Sequence, residues 1–171
     1  MIRLNAIPTM IAMIRSVMRG VGLRDLDRIK KITRQSFPFV RQISTEQLAT
    51  WMETSNQSLL IVDVRSADEF AISRLRGAVN LTTAQQITEA IHSRKPFTAI
   101  LYCSVGFRSS RLADELARRG IADVANLEGS IFQWANEGRP LYRDETLVKQ
   151  VHPYGKRWAG LLRPGLAKLI M

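Results

Sequence analysis

Short continuous apolar runs alternate along this chain with stretches whose apolar positions recur every three or four residues. Leu59-Leu60-Ile61-Val62-Asp63-Val64, Phe97 to Tyr102 and Val124 to Leu127 are runs of strand length with almost no polar interruption. Such runs predict strands buried on both faces. Gly77-Ala78-Val79-Asn80-Leu81 reads as a shorter strand between the first two. Helical spacing fills the gaps. Ser44 followed by Gln47 makes a capping-box pattern ahead of Leu48, Trp51 and Met52. Thr82 or Thr83 caps a helix that turns Ile87, Ala90 and Ile91 inward, and Pro96 resets the chain. Ser109 to Arg119 places Leu112, Ala113, Leu116 and Ala117 on one face and stops at Gly120. A closing helix from Ser130 to about Asn136 carries Ile131, Phe132 and Trp134 and ends before Gly138 and Pro140. Strands alternating with helices predict an α/β domain of three layers, with a mainly parallel central sheet of four to five strands and helices on both faces.

Length and charge divide the chain. At 171 residues it can bury one ordinary core, so one domain with extensions is expected. The net charge of +10 is unevenly spread: residues 1–45 hold nine Lys/Arg against two Asp/Glu, residues 46–142 ten against eleven, and residues 143–171 six against two. A neutral body therefore carries two basic ends. The expected division is a basic, amphipathic extension over 1–41, a domain over 42–142 and a basic, aromatic tail over 143–171. Within the first extension Ile7, Met10, Ile11, Ile14, Val17, Met18 and Val21 repeat at helical spacing, with four Arg and no acid in the first 24 residues. A membrane-surface helix, an organelle presequence and a helix packing on a partner all fit this pattern, while Gly20 and Gly22 weigh against a long helix. No apolar run reaches the length of a membrane span, because Leu4 to Ile14 contains Pro8 and closes on Arg15. In the tail, Tyr154, Trp158, Leu161 and Leu162 are too apolar to stay in water, and docking on the domain, on a second subunit or on a membrane surface remains open. Nucleic-acid binding is disfavoured, because Pro153 and Pro164 interrupt the aromatic and basic stretch.

The chemistry gathers at one place. Cys103, the single cysteine, stands where an inner strand ends and a small segment, Ser104-Val105-Gly106-Phe107-Arg108-Ser109, leads into a helix. One cysteine forms no internal disulfide, and with only His92 and His152 beside it fills no closed metal site, so a metal-free, cytoplasmic protein without cofactors is expected. A ligand crevice lies beyond the carboxyl ends of such strands. Amides of a curled loop, the positive end of the following helix and the Arg108 charge together favour thiolate over thiol.

Cys103, four residues and Arg108 make a loop of six that resembles the active-site loop of the rhodanese family. The resemblance extends to Asp63-Val64-Arg65 with Glu69-Phe70, to Gly77-Ala78-Val79-Asn80-Leu81, and to Asn126-Leu127-Glu128-Gly129 with Trp134 and Gly138, covering about residues 42–142. It implies a sulfurtransferase in which Cys103 accepts a sulfane sulfur from thiosulfate or a persulfide, holds it as a cysteine persulfide and passes it to cyanide or a thiol. In this reading Arg108 orients the anionic donor, Ser104, Val105, Gly106 and Phe107 supply loop backbone, and Ser109 donates to the loop or caps the helix. Asp63 is expected to hydrogen-bond backbone near its strand end and Arg65 to pair with Glu69, both in supporting roles. Cysteine phosphatases use one residue more between cysteine and arginine, so phosphate chemistry is disfavoured. Arg74 and Arg76 depart from the family's turn and leave its role unassigned; Glu128 fits either a pocket or a turn. A small anionic donor, a thiol or cyanide acceptor and a sulfur-relay protein are the implied partners. An anionic membrane or an acidic partner would suit the basic ends. The alternatives are a non-catalytic rhodanese module and a membrane-surface adaptor.

Overall fold

The structure is a computed structural model and describes residues 24–54, 58–96 and 98–168. Helix α1 (Arg24–Ser36) leads into strand β1 (Arg41–Ile43), followed by α2 (Thr45–Thr54), β2 (Leu59–Asp63), α3 (Ala67–Ile72), β3 (Val79–Asn80), α4 (Ala84–Arg94), β4 (Thr98–Tyr102), α5 (Phe107–Arg118), β5 (Val124–Leu127) and α6 (Ser130–Asn136). A hairpin of β6 (Leu141–Arg143) and β7 (Thr146–Val148) follows, and then a 3-10 helix over Lys156–Leu161. The repeating apolar positions between Ile7 and Val21 lie outside the described residues.

Five strands pair in the order β1-β5-β4-β2-β3, all parallel. The apolar runs are continuous because both sheet faces are covered. On one face Ile61, Ile100, Ala125 and Leu127 pack with Leu48 of α2 and with Ile131, Phe132 and Trp134 of α6. On the other, Leu60, Val62, Ala99, Leu101 and Val124 pack with Ile87 of α4 and with Leu112, Ala113 and Leu116 of α5. Ala117, expected inward, is exposed one step beyond that stripe. The caps form as their spacing predicts: Ser44 Oγ accepts from Gln47 N at 3.0 Å while Gln47 Oε1 accepts from Ser44 N at 2.9 Å. Thr83 and Gln86 repeat the arrangement at α4.

Both ends of the described chain enter the core. Leu26 and Ile29 of α1 are buried with the first cluster, and β1, which begins at Arg41, extends the sheet beside β5. The boundary expected at residue 42 therefore falls inside a strand. In the tail, Val151, Leu161 and Leu162 are buried in the same cluster, with Trp158 packed against it. Of the three destinations open to that segment, docking on its own domain is what the structure displays. None of the helices among the described residues is long and apolar enough to cross a membrane.

The sheet order also fixes where a crevice forms. From β2 the chain moves outward to β3, and from β4 it moves the opposite way to β5. Adjacent strands whose connections diverge leave a gap beyond their carboxyl ends. The segments entering that gap are 64–69 after β2 and 103–108 after β4.

Candidate active site

Cys103 follows the last residue of β4, and its backbone is fastened by the start of α6. The Cys103 N–H donates to Ser130 Oγ at 3.1 Å, and that hydroxyl donates to Leu127 O at 3.0 Å. The amides of Ile131 and Phe132 donate to the carbonyls of Cys103 and Ser104. With its peptide groups held, the loop reverses at Gly106, which has φ +100° and precedes the first residue of α5. A Cβ there would lie 3.3 Å from Asn126 Nδ2, in a backbone region L-residues rarely enter, so glycine is required. The reversal carries the Gly106 N–H to 3.2 Å from Cys103 Sγ.

The thiol is buried, at 1% exposure. Burial pushes it up, but the Arg108 charge, the Ser109 hydroxyl and the amides of Ser109 and Gly106 outweigh burial and bring it below the ordinary cysteine value. The Ser109 hydroxyl is buried without a well-formed hydrogen bond, so its influence on the sulfur is that of an aimed dipole.

Arg108 crosses the gap between the two segments. Its Nη1 and Nη2 donate to both carboxylate oxygens of Glu69, at 3.0 and 2.8 Å, and Nη2 also donates to Ser104 Oγ at 3.0 Å. Ser104 Oγ donates in turn to Glu69 Oε1 at 3.1 Å. Glu69 is delivered by the short helix α3, whose cap it completes by accepting from the Ser66 backbone and hydroxyl. Burial opposes ionisation of Glu69, yet the Arg108 bonds and charge, Ser66 and the Arg65 charge lower it from 4.5 to about 2. The same carboxylate, together with the thiolate, raises Arg108 despite partial burial. On its open face the Arg108 guanidinium stacks on the Tyr154 ring, 4.7 Å from the centroid.

Sequence reasoning brought Cys103, Ser104, Val105, Gly106, Phe107, Arg108 and Ser109 to one place, and the structure puts them there. Val105 is buried in the core, and Phe107 packs edge-on against Phe37 at 5.2 Å. One pairing needs correction. Arg65 does not pair with Glu69; its guanidinium donates to Asp63, with Nη2 2.6 Å from Oδ2, and to Ser73 O at 2.6 Å. Asp63 does bind backbone as expected, accepting from Arg65 N at 3.0 Å. The pair sits behind the crevice and braces the turn that launches Glu69. Arg74 pairs with Asp144 and stacks on Phe70, Arg76 stacks on Tyr142, and Glu128 pairs with Arg34 at the surface.

Three residues of the site were not placed there from the sequence. Glu69 was visible as the last member of a Ser66-x-x-Glu69 capping box, the signal that would have found α3. Ser130 and Tyr154 share a left-handed backbone, at φ 52° and 64°, that no local residue pattern announces. Among the described residues no cluster of His, Cys, Asp and Glu is arranged to hold a metal ion.

The family model of the rhodanese-like domain matches residues 44–137. A sulfurtransferase of Allochromatium vinosum is 28% identical over 106 residues, 62% of this chain and 98% of that protein. The probable adenylyltransferase/sulfurtransferase MoeZ of Mycobacterium tuberculosis is 28% identical over 103 residues, 57% of this chain but 25% of that protein, so the chain spans about a quarter of that relative's length. The solved thiosulfate sulfurtransferase of Pseudomonas aeruginosa superposes with a TM-score of 0.59 at 16% identity, over 81% of this chain and 27% of that one, a likeness of fold.

Proposed function

Because this chain belongs to the rhodanese-like domain family, we propose that it is a sulfurtransferase whose Cys103 carries the sulfur. The observation that supports this best is the surrounding of Sγ: a buried sulfur with a donating amide nitrogen at 3.2 Å, a serine hydroxyl aimed at it and a guanidinium close enough to favour its anion. An inert core cysteine needs none of these.

In the proposed reaction the Cys103 thiolate attacks the outer sulfur of a sulfane donor. The donor's sulfur–sulfur bond breaks, the electron pair leaves with the donor remnant, and Cys103 is left as a persulfide. Gly106 and Ser109 hold the negative charge wherever it rests on the two sulfurs, because their N–H groups are fixed before the reaction begins. A nucleophilic acceptor, thiol or cyanide, then attacks the outer sulfur and releases the thiolate. Arg108 supplies the positive charge at the mouth, Ser104 ties it to Glu69, and Val105 and Phe107 anchor the loop in the core. Asp63 and Arg65 support from behind. The reacting groups all lie within the domain expected over 42–142, which α1, the start of β1 and the segment over 143–171 complete by packing into its core. A donor protein in a sulfur relay, the cytoplasm as the compartment and a basic surface meeting an anionic partner complete this reading.

Intact mass measurement of the full chain after exposure to thiosulfate and, separately, to a thiol persulfide tests it. The expected result is a gain of one sulfur atom mapped to Cys103, removed by cyanide or a reducing thiol and absent from Cys103→Ala. No gain from any donor overturns the proposal.

A further inference from the structure

Arg108 is engaged on two sides before any substrate arrives. Both of its terminal nitrogens donate to Glu69, which stays ionised down to acid pH, and one of them also serves Ser104. The exposed face of its guanidinium is covered by the Tyr154 ring. That ring comes from outside residues 44–137, which match the family. Tyr154 remains 53% exposed, and Trp158 meets it edge-on at 5.7 Å. The mouth of the loop therefore presents an aromatic pair over a cation that is only 31% exposed and already paired.

Among the three groups in contact, the thiolate and Glu69 carry one negative charge each and Arg108 one positive, so Arg108 has no charge to spare. The Arg65 charge behind it is matched by Asp63. Thiosulfate would bring two further negative charges to this place and find the cation already paired. At its reacting end a thiol-borne persulfide brings at most one, and its organic part can lie against exposed rings.

Resting on the reading of Cys103 as a sulfur carrier, we propose that Tyr154 is a specificity-determining residue that turns the site toward persulfides borne on an organic thiol, R–S–SH, and away from thiosulfate. The step is Cys103–S⁻ + R–S–SH → Cys103–S–SH + R–S⁻. The bond between the donor's two sulfurs breaks, a new bond forms to Cys103 Sγ, the proton stays on the transferred sulfur, and the electron pair departs with the donor thiolate. No external oxidant or reductant is consumed. Removing the ring uncovers the guanidinium face, which a dianion can then approach while Arg108 stays on Glu69.

The test follows the rate of one-sulfur gain at Cys103 in the full chain, with thiosulfate, glutathione persulfide and a short persulfidated cysteine peptide as donors. In the unaltered protein both persulfides should load faster than thiosulfate. Tyr154→Ala should shrink that preference by roughly fivefold, the scale of one partly desolvated cation–π contact. Tyr154→Phe, which keeps the ring, should preserve it. A peptide advantage over glutathione persulfide that disappears in Tyr154→Ala identifies a protein carrier as the source, and equal rates a small thiol. Thiosulfate as the preferred donor, or a preference unchanged in Tyr154→Ala, overturns the proposal while leaving the sulfur-carrier reading intact. Absence of loading from every donor removes that reading itself.

Discussion

Two arginine–carboxylate pairs in this chain have carboxylates close in sequence, Asp63 and Glu69, and do different work. Arg65 and Asp63 are both fully buried, at 0% side-chain exposure, with the Arg65 guanidinium also donating to a main-chain carbonyl. Glu69 is almost as deeply buried, at 3%, but its partner Arg108 is 31% exposed and stands over the reactive sulfur. A sealed pair has one stable arrangement, because a buried ion without its partner costs several kcal/mol. A pair open on one side can exchange that partner for solvent or substrate at much lower cost. The first pair fixes a turn; the second sets charge where chemistry occurs.

The largest effect that separates them is on stability. Arg65→Met leaves the Asp63 carboxylate buried without its cation and should destabilise the protein by about 3–5 kcal/mol. Denaturant unfolding measures this. Combining it with Asp63→Leu should recover much of the loss, since an apolar pair of similar volume carries no desolvation penalty. If the single and double variants are equally unstable, the ion pair is not what holds the turn.

How this distinction could be read from residues alone follows from the geometry. Arg65 and Glu69 stand four apart, a spacing at which they would meet if both lay on a helix. Helix α3 begins only at Ala67, so Arg65 still belongs to the extended segment leaving β2. There, residues two apart share a side, and Arg65 turns to Asp63. The inner strands β2, β4 and β5 were legible because burial on both faces writes itself as an unbroken apolar run. The cysteine loop was legible because Cys103, Gly106 and Arg108 are residue types with few other reasons to stand at that spacing. Helix α1 was not, since its buried positions Leu26, Ile29 and Thr33 are few and sit among charges that drew attention to net charge. The β6–β7 hairpin turns on Asp144 with φ 51° and lacks the Gly that marks such turns. Tyr154 reaches Arg108 through tertiary packing that joins residues far apart in the chain, and no local pattern carries that information.

A second, smaller effect concerns pH. Glu69 is held near 2 in the folded protein against an ordinary value of 4.5. A carboxylate lowered by folding contributes stability above its unfolded value and loses it as pH falls through the folded one. Its contribution is therefore complete above about pH 5, declines below about 4.5 and is mostly gone near pH 2; over that range it amounts to about 3 kcal/mol. Comparing urea unfolding of the wild-type chain with Glu69→Gln across this range isolates it. The difference in stability between the two should narrow steadily on acidification. A gap that stays constant would mean that Glu69 is bound through its shape, not its charge.

The smallest effect completes the series of pairs. Arg118 and Asp114 meet at 2.9 Å, one helical turn apart on α5, with side-chain exposures of 79% and 20%. Here the chemistry is again guanidinium and carboxylate, and the distance is no longer than that of Arg108 to Glu69 by more than 0.1 Å, since the latter is 2.8 Å. Water reaches most of the guanidinium, so the attraction is weakened by solvent and salt, while ordering two long side chains opposes it. Arg118→Ala should cost only about 0.3–0.5 kcal/mol, and less at high salt. Thermal unfolding at low and high ionic strength measures both parts. A loss comparable to that of Arg65→Met would show that separation, not burial, governs the strength of these pairs, and the contrast between the sealed turn and the open mouth would lose its physical basis.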